Sequence, residues 1–391
     1  MKRFGLDIWG DDNFFIKDDT VNINYGNRPS LLQITREIRE KGYKGPLLLR
    51  FPHLIEKQIS TLFDTFEHAK KEFDYQGNFH AVFPLKVNQF PNFIHALVDV
   101  SKNYNYGLEA GSKAELIIAI SQTPLGAPIT VNGFKDKEMI SLCFIAAKMG
   151  HNITVTIEGL GELETIIRVD REFNGKSETP VTPKIGVRIR LHSSGIGVWA
   201  KSGGYSSKFG LTSTELLEAY EMLKKHSLLD RLWMIHFHIG SQMGDIAPLK
   251  KALREAGNIY AELKKRGALA VEYSQHGSSI ERNYSLNEFA NDVVYLMQEI
   301  SKSKGVAEPD IFTESGRYIA ASHSVLVAPV LELFSQEYHK KALRLKEENP
   351  PLIQELYDLF DTINRKNARE YLHDALDHME SLLTLFDLGY I

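Results

Sequence analysis

Cysteine is almost absent: Cys143 is the only one in 391 residues, which excludes internal disulfides and leaves the fold to packing. Its neighbours Leu142, Phe144, Ile145 and Ala146 are apolar. It therefore reads as a small buried hydrophobe rather than a nucleophile. No uninterrupted apolar run is long enough to span a bilayer, so no membrane association is expected. The N-terminal MKRFGLDIWGDD has two basic residues but neither an apolar stretch nor a small-residue cleavage site, so no secretory leader is expected. A basic excess is missing too. The net charge is -4 and Lys and Arg form no long stripe, which argues against nucleic acid as a partner. Internal repeats and low-complexity tracts are lacking. What is there is the ordinary balance of a soluble globular enzyme, 43% hydrophobic and 25% charged, and a cytoplasmic location is expected.

From residue 80 onward, short apolar or β-branched runs alternate with helical patterns. The runs are AVFPLK (81–86), YGLEA (106–110), PITVNG (128–133), NITVTIE (152–158), KIGVRIRL (184–191), WMIHFHIG (233–240) and DIFTES (310–315). ALAVEY (268–273) is the candidate for the missing position before the last. Between them lie helical patterns such as GSKAELIIAISQ and STELLEAYEMLKKH, several opening on Ser, Thr, Asp or Asn and closing at Gly. Continuous apolar strands separated by helices predict a parallel sheet covered by helices. The closed form of that α/β pattern is the (β/α)8 TIM-type barrel, here assigned to residues 51–323.

The flanks break this rhythm. Residues 1–50 hold FFIKDD, TVNINY and PLLLRF around one helix, LLQITREIRE, and SVLVAPVLELF within 324–337 is again strand-like. The two flanks are expected to pair into a partial β-domain beside the barrel. Residues 338–391 read as a helical insert of two or three packed helices, interrupted only at Pro350-Pro351. The Ser- and Gly-rich HSSGIGVWAKSGGYSSKFG (192–210) follows a strand end, where barrel enzymes keep their active-site loops.

Polar residues gather at the strand ends. Lys86, Glu109, Asn132, Glu158, Arg190, His238 and Glu314 all lie at or near the C-terminal ends of predicted strands, which in a barrel form one face. Each alone is as well explained by a helix N-cap or a surface position. Lys86 closes the apolar run of FPLKVNQ, where a charge is costly unless it is paired or removed. The plain alternative is a lysine that snorkels its head into water. Schiff-base formation removes the charge. In HFHIGSQ, His236 and His238 share one face of a strand. Such a pair can bind a metal, but that pattern places the histidines first and further ligands after them. Here Lys86 comes first and no later His or Asp ends a strand, so a flat imidazole under an aromatic cofactor is the better reading. Gly240 and Ser241 then offer an N–H and a hydroxyl to a phosphate. In TESGR (313–317), Glu314 ends a strand, and Gly316 allows close backbone approach before Arg317. An imine-forming lysine, a plate, a phosphate cradle and a carboxylate together describe pyridoxal 5'-phosphate.

FPLKVNQ, GLEAGSKAEL, VNGFKDKEMI, SKFGL, HFHIGSQM and TESGRYIAASHSVLV, in this order, resemble the bacterial biosynthetic arginine decarboxylases. That family sits in the alanine-racemase-like barrel group of pyridoxal-phosphate enzymes, with ornithine and diaminopimelate decarboxylases. The resemblance runs over nearly the whole chain and implies roles residue by residue. Lys86 would hold the cofactor covalently and His238 would stack on its ring. Ser241, Gly316 and Arg317 would bind the phosphate, and Glu314 would pair with the ring nitrogen. Glu109 would sit beside Lys86, and Arg188, preferred over Arg190, would reach the cofactor's oxygen. It implies decarboxylation of L-arginine to agmatine and carbon dioxide, in polyamine biosynthesis; the alternatives are another basic amino-acid or diaminopimelate decarboxylase of the same group, or a relative that keeps the fold without turnover. It implies magnesium as a further cofactor, which no carboxylate cluster here locates. It also implies a homodimer or higher homo-oligomer whose active site is shared between subunits.

Two departures stand out. The family carries a glycine triplet before the segment that here reads LAVEY, whereas KKRGALAVEY has none, so a barrel strand and its turn are expected to be missing at Ala268–Leu269. The resemblance also places the rest of the β-domain, with a cysteine and an aspartate that act on substrate, after the helical insert in which LGYI stands.

Overall fold

Where the apolar runs are short and flanked by turns, the N-terminal flank makes strands. The computed structural model describes residues 5–10, 12–192, 209–240, 245–267, 284–332 and 349–389. A short helix α1 (Leu6–Trp9) leads into an antiparallel hairpin of β1 (Phe14–Lys17) and β2 (Thr20–Ile23). Helix α2 (Leu31–Glu40) follows, its first turn capped by the Ser30 hydroxyl. Strand β3 (Leu47–Arg50) pairs antiparallel with β11 (Ser324–Val327), from the far side of the barrel in sequence. Phe14, Ile23, Leu49, Phe51 and Leu54 form a separate small core, with Val325 and Val327 against it. The two flanks thus build one β-unit, as their patterning implied.

The barrel begins with α3 (Pro52–Phe73), which opens on proline and buries Leu54, Ile55, Ile59, Leu62, Phe66 and Ala69 at helical spacing. Seven parallel strands follow: β4 (Phe79–Pro84), β5 (Gly107–Ala110), β6 (Pro128–Val131), β7 (Asn152–Ile157), β8 (Lys184–Arg188), β9 (Leu232–His236) and β10 (Ile311–Glu314). Their order in the sheet is β10-β4-β5-β6-β7-β8-β9, the wrap of a barrel in which the last strand returns beside the first. Each of the seven runs becomes a strand. ALAVEY (268–273), the Ala268–Leu269 junction and most of the Ser/Gly-rich stretch lie outside the described residues.

Helices α4 (Pro91–Ser101), α5 (Lys113–Gln122), α6 (Lys137–Lys148), α7 (Leu160–Asn174), α8 (Ser213–Lys225), α9 (Ala247–Lys265) and α10 (Leu286–Lys304) connect and cover the strands. Ser112, Asp136, Thr212 and Ser285 accept a backbone N–H at the starts of α5, α6, α8 and α10. Cys143 is fully buried on α6 and burial pushes its thiol up to about 12, which fits the packing role. A one-turn helix α11 (Arg317–Ala320) follows β10.

The chain divides into two compact units, Met1–Pro329 and Val330–Ile391. The second holds α12 (Pro351–Thr362) and α13 (Ala368–Asp387), which pack on each other. Pro350-Pro351 sits where proline is tolerated, at the cap and first position of α12. Among the described residues no helix is long and apolar enough to cross a membrane.

Candidate active site

Because the seven strands run parallel, their C-terminal ends share one rim. Lys86 lies in the 3-10 turn Leu85–Val87 that follows β4. Glu109 is on β5, Arg188 ends β8, His236 ends β9 and Glu314 ends β10. Asn132 and Glu158 come directly after β6 and β7.

The centre of the rim is a chain of charges. Lys86 Nζ stands 3.5 Å from Glu109 Oε2; the lysine side chain is 49% exposed, while the carboxylate is wholly buried. Asn132 Nδ2 donates to Glu109 Oε1 at 3.2 Å and to Glu314 Oε1 at 2.5 Å. His236 Nε2 lies 3.7 Å from Glu314 Oε1. Burial, then the nearby Glu314 charge, pushes Glu109 up to about 8, although Lys86 acts against the shift. Burial likewise drives His236 down to about 3, so its imidazole is neutral. The charge on Lys86 is under opposing influences. Burial lowers its pKa, as a Schiff-base lysine would suggest, but Glu109, Glu314 and Glu115 together outweigh that and the net shift is upward. Among the chain's own groups, this nitrogen faces Glu109.

A second network lies beside the first. Arg188 Nη1 donates to Glu158 Oε1 at 3.0 Å, and the same oxygen accepts from Gly133 N at 3.2 Å. Burial works against the Glu158 charge, but Arg188 and Lys135 prevail and hold the carboxyl below its usual range. Lys135, fully buried, ion-pairs with Glu162 Oε2 at 3.2 Å and donates to the Gly133 carbonyl. Glu162 also accepts from the backbone N–H groups of Lys135 and Glu158. Arg190 reaches elsewhere, donating from Nη2 to the Gly210 carbonyl at 3.0 Å.

His238 lies two residues past the end of β9, which closes at His236. Its Nδ1 accepts from Gly240 N at 3.1 Å. That backbone N–H, expected to face a phosphate, is engaged by the imidazole instead. Ser241 lies outside the described residues. Gly316 is packed on the lysine turn: an added Cβ would lie 2.6 Å from Val87 Cγ2 and 2.8 Å from Pro84 Cγ. Arg317, next to it, is exposed.

Comparison with known proteins matches residues 59–321 to the family described as pyridoxal-dependent decarboxylase, pyridoxal binding domain. The chain belongs to this family. Residues 346–391 of this decarboxylase-family chain also match the arginine decarboxylase helical bundle domain. A biosynthetic arginine decarboxylase of Geobacter sp. (strain M21) is 37% identical over 413 residues, covering 100% of this chain and 64% of that protein. One from Bacteroides thetaiotaomicron is 37% identical over 407 residues, covering 99% and 64%. The chain therefore spans 64% of the length of these curated relatives. The crystal structure of the biosynthetic arginine decarboxylase from Campylobacter jejuni is 56% identical with a TM-score of 0.79, covering 100% of this chain and 66% of that one. Diaminopimelate decarboxylase from M. jannaschii, at 22% identity and a TM-score of 0.62 over 81% of this chain and 69% of that one, shares the fold.

The residues fit the family's cofactor. Buried polar atoms without a hydrogen-bond partner among the described residues lie on the rim: Asn132 Oδ1 and both His236 nitrogens, with Glu109 Oε2 met by the Lys86 ion pair. Such atoms are costly in an interior unless something polar meets them. No group of three or more His, Cys, Asp or Glu side chains able to hold a metal occurs among the described residues.

Sequence reasoning had Asn132 and Glu158 on the rim without a task, weighed His236 only as half of a histidine pair, and passed over Glu115 and Lys135. Glu115 had a legible signal. It stands three residues after Ser112 at a helix start, where a capping box puts it. In the fold its carboxylate accepts from Gly111 N and from Gln89 Nε2, both at 2.7 Å. Lys135 had none, since nothing in NGFKDKE separates a buried lysine from the exposed one two residues on.

Proposed function

We propose that this chain carries the cofactor-binding part of a pyridoxal-phosphate-dependent decarboxylase acting on L-arginine, yielding agmatine and carbon dioxide. The observation that carries the chemistry is Lys86 at the barrel mouth, beside Glu109 and joined through Asn132 to Glu314. When bound, pyridoxal phosphate supplies the electron sink into which the bond to a departing carboxylate can empty. Lys86 is the attachment point, exposed enough to be reached yet held by Glu109. Glu109 Oε2, 3.5 Å from Lys86 Nζ, is in its ionised form the group placed to take the proton that Lys86 must lose before its nitrogen becomes nucleophilic. Glu314, buried on β10, supplies the negative partner for the ring nitrogen. His238 is assigned to stack on the ring, with Gly316, Arg317 and Ser241 at the phosphate. Arg188, oriented by Glu158, is assigned to the ring oxygen.

Arginine is favoured over related amino acids by two observations: the match of residues 346–391 to the arginine decarboxylase helical bundle, and the names of the relatives. We infer from the same resemblance a homodimer or larger homo-oligomer with a shared active site, which sedimentation of the purified protein would test. Magnesium is assigned no ligands. For the activity, carbon dioxide release from arginine, ornithine, lysine and diaminopimelate should be compared in the complete protein, with mass spectrometry of borohydride-reduced enzyme. Arginine is expected to be the preferred substrate and Lys86 the residue carrying the reduced cofactor, absent in Lys86→Ala. Preference for another amino acid, or cofactor retained covalently in Lys86→Ala, refutes the corresponding part of this reading.

A further inference from the structure

We propose that Asn132 is a positioning residue that ties the carboxylate facing Lys86 to the carboxylate assigned to the cofactor ring, and so decides where the ring-side proton rests. The proposal rests on the cofactor reading above. One amide nitrogen serves both carboxylates, donating to Glu314 Oε1 at 2.5 Å and to Glu109 Oε1 at 3.2 Å. A carboxamide nitrogen carries two hydrogens, so the two donations coexist. The backbone holds the amide in place. Asn132 N donates to Ala110 O at 3.0 Å, and Gly133 turns at φ +71, where a Cβ would lie 2.8 Å from Gly111 O. Asn132 Oδ1 is left buried without a partner among the described residues. The reversed amide would set that oxygen against two carboxylates, so the partners dictate its orientation.

The charged surroundings make the amide decisive. Glu109 faces Lys86 from the turn after β4, Glu115 from α5 and Glu314 from β10. Glu314 faces His236 from β9 and Lys86, and His236 in turn feels Arg188, Glu158 and His238. Two buried carboxylates this close do not both hold a charge easily. Asn132 donates to both, and burial together with Glu314 pushes Glu109 up. A donor on a carboxylate oxygen stabilises the anion against the acid. A proton shared between Glu314 and the ring nitrogen then rests on nitrogen. Without the donor it moves: the N–H bond breaks, the O–H bond forms on Glu314, and the net charge of the pair is unchanged.

The test is ring-nitrogen NMR of isotope-labelled pyridoxal phosphate bound to the purified chain, which reads ring protonation without any turnover. The unaltered chain should hold the ring protonated. N132A should lower the ratio of protonated to neutral ring by about tenfold, the equivalent of one pKa unit. N132S, which keeps one donor, should fall between them and stands in if N132A does not fold. Ring protonation unchanged in the variants, even with weaker cofactor binding, overturns the proposal, because a merely structural asparagine behaves that way. A neutral ring in the unaltered chain overturns it alone. Failure of the unaltered chain to bind pyridoxal phosphate overturns it together with the cofactor reading.

Discussion

At the scale of single residues, the two strongly shifted groups of the rim oppose each other with pH. Glu109 is raised from an ordinary carboxyl value to about 8, so the folded state holds a proton there that the unfolded chain has released. Stability from this group is full below the unfolded value and is lost as pH rises toward 8. His236 is lowered to about 3, so its contribution is full above the unfolded value of 6.5 and is lost as pH falls. Between about pH 4.5 and 6.5 the two slopes offset one another, and above that only Glu109 acts. Urea midpoints of the cofactor-free chain should therefore decline from about pH 6.5 to 8. Glu109→Gln should flatten that decline, and a decline of equal slope in the variant would remove Glu109 as its source. Lys86, Glu109 and Glu314 were legible as residues, because a charge at the end of an apolar strand is conspicuous. Their joining by Asn132 was not, since residues 109, 132 and 314 are far apart in sequence.

At the scale of elements, the site depends on two turns that lean on each other: the lysine turn after β4 and the TESGR turn after β10. The strands pair in register, with Glu314 opposite Val82, and Ser315 N donates to Val82 O at 3.1 Å. Tyr106, buried on the approach to β5, donates its hydroxyl to the Ser315 carbonyl at 3.1 Å. Gly316 then fits where no side chain fits. Gly316→Ala should push the turns apart, costing about 1–3 kcal/mol by overpacking. Cofactor affinity should fall by about tenfold or more, since about 1.4 kcal/mol is a factor of ten. Adding Val87→Ala, which removes the nearest atom, should restore part of both the melting temperature and the affinity. A double variant no better than Gly316→Ala would show that the close approach is not what requires glycine. The β11–β3 pairing had a visible pattern in both flanks; its register, Arg50 opposite Ser324, came only with the fold.

At the scale of the whole molecule, every described residue of the lysine-centred site belongs to the unit Met1–Pro329. The unit Val330–Ile391 has its own helices, and α13 exposes Leu372, Leu376, Met379, Leu383 and Phe386. Breaking α13 with Leu376→Pro should therefore leave pyridoxal phosphate affinity within about twofold of the unaltered chain, while helix content by circular dichroism falls. A loss of cofactor affinity in that variant would show that the helical unit supports the barrel site.

Strand order of type and position was a matter of local pattern: seven apolar runs at barrel spacing became seven strands, because period and turn residues act over a few neighbours. Candidate chemistry followed from which residues ended those runs. Protonation did not. The Lys86 charge is kept by carboxylates brought from β5, α5 and β10, and the His236 charge is suppressed by burial between strands. His238 lies just past the end of β9, and its imidazole accepts from Gly240 N, a contact no local pattern announces. Which groups share a proton, a donor or a charge depends on distances between segments far apart in the chain, and only closing the barrel sets those distances.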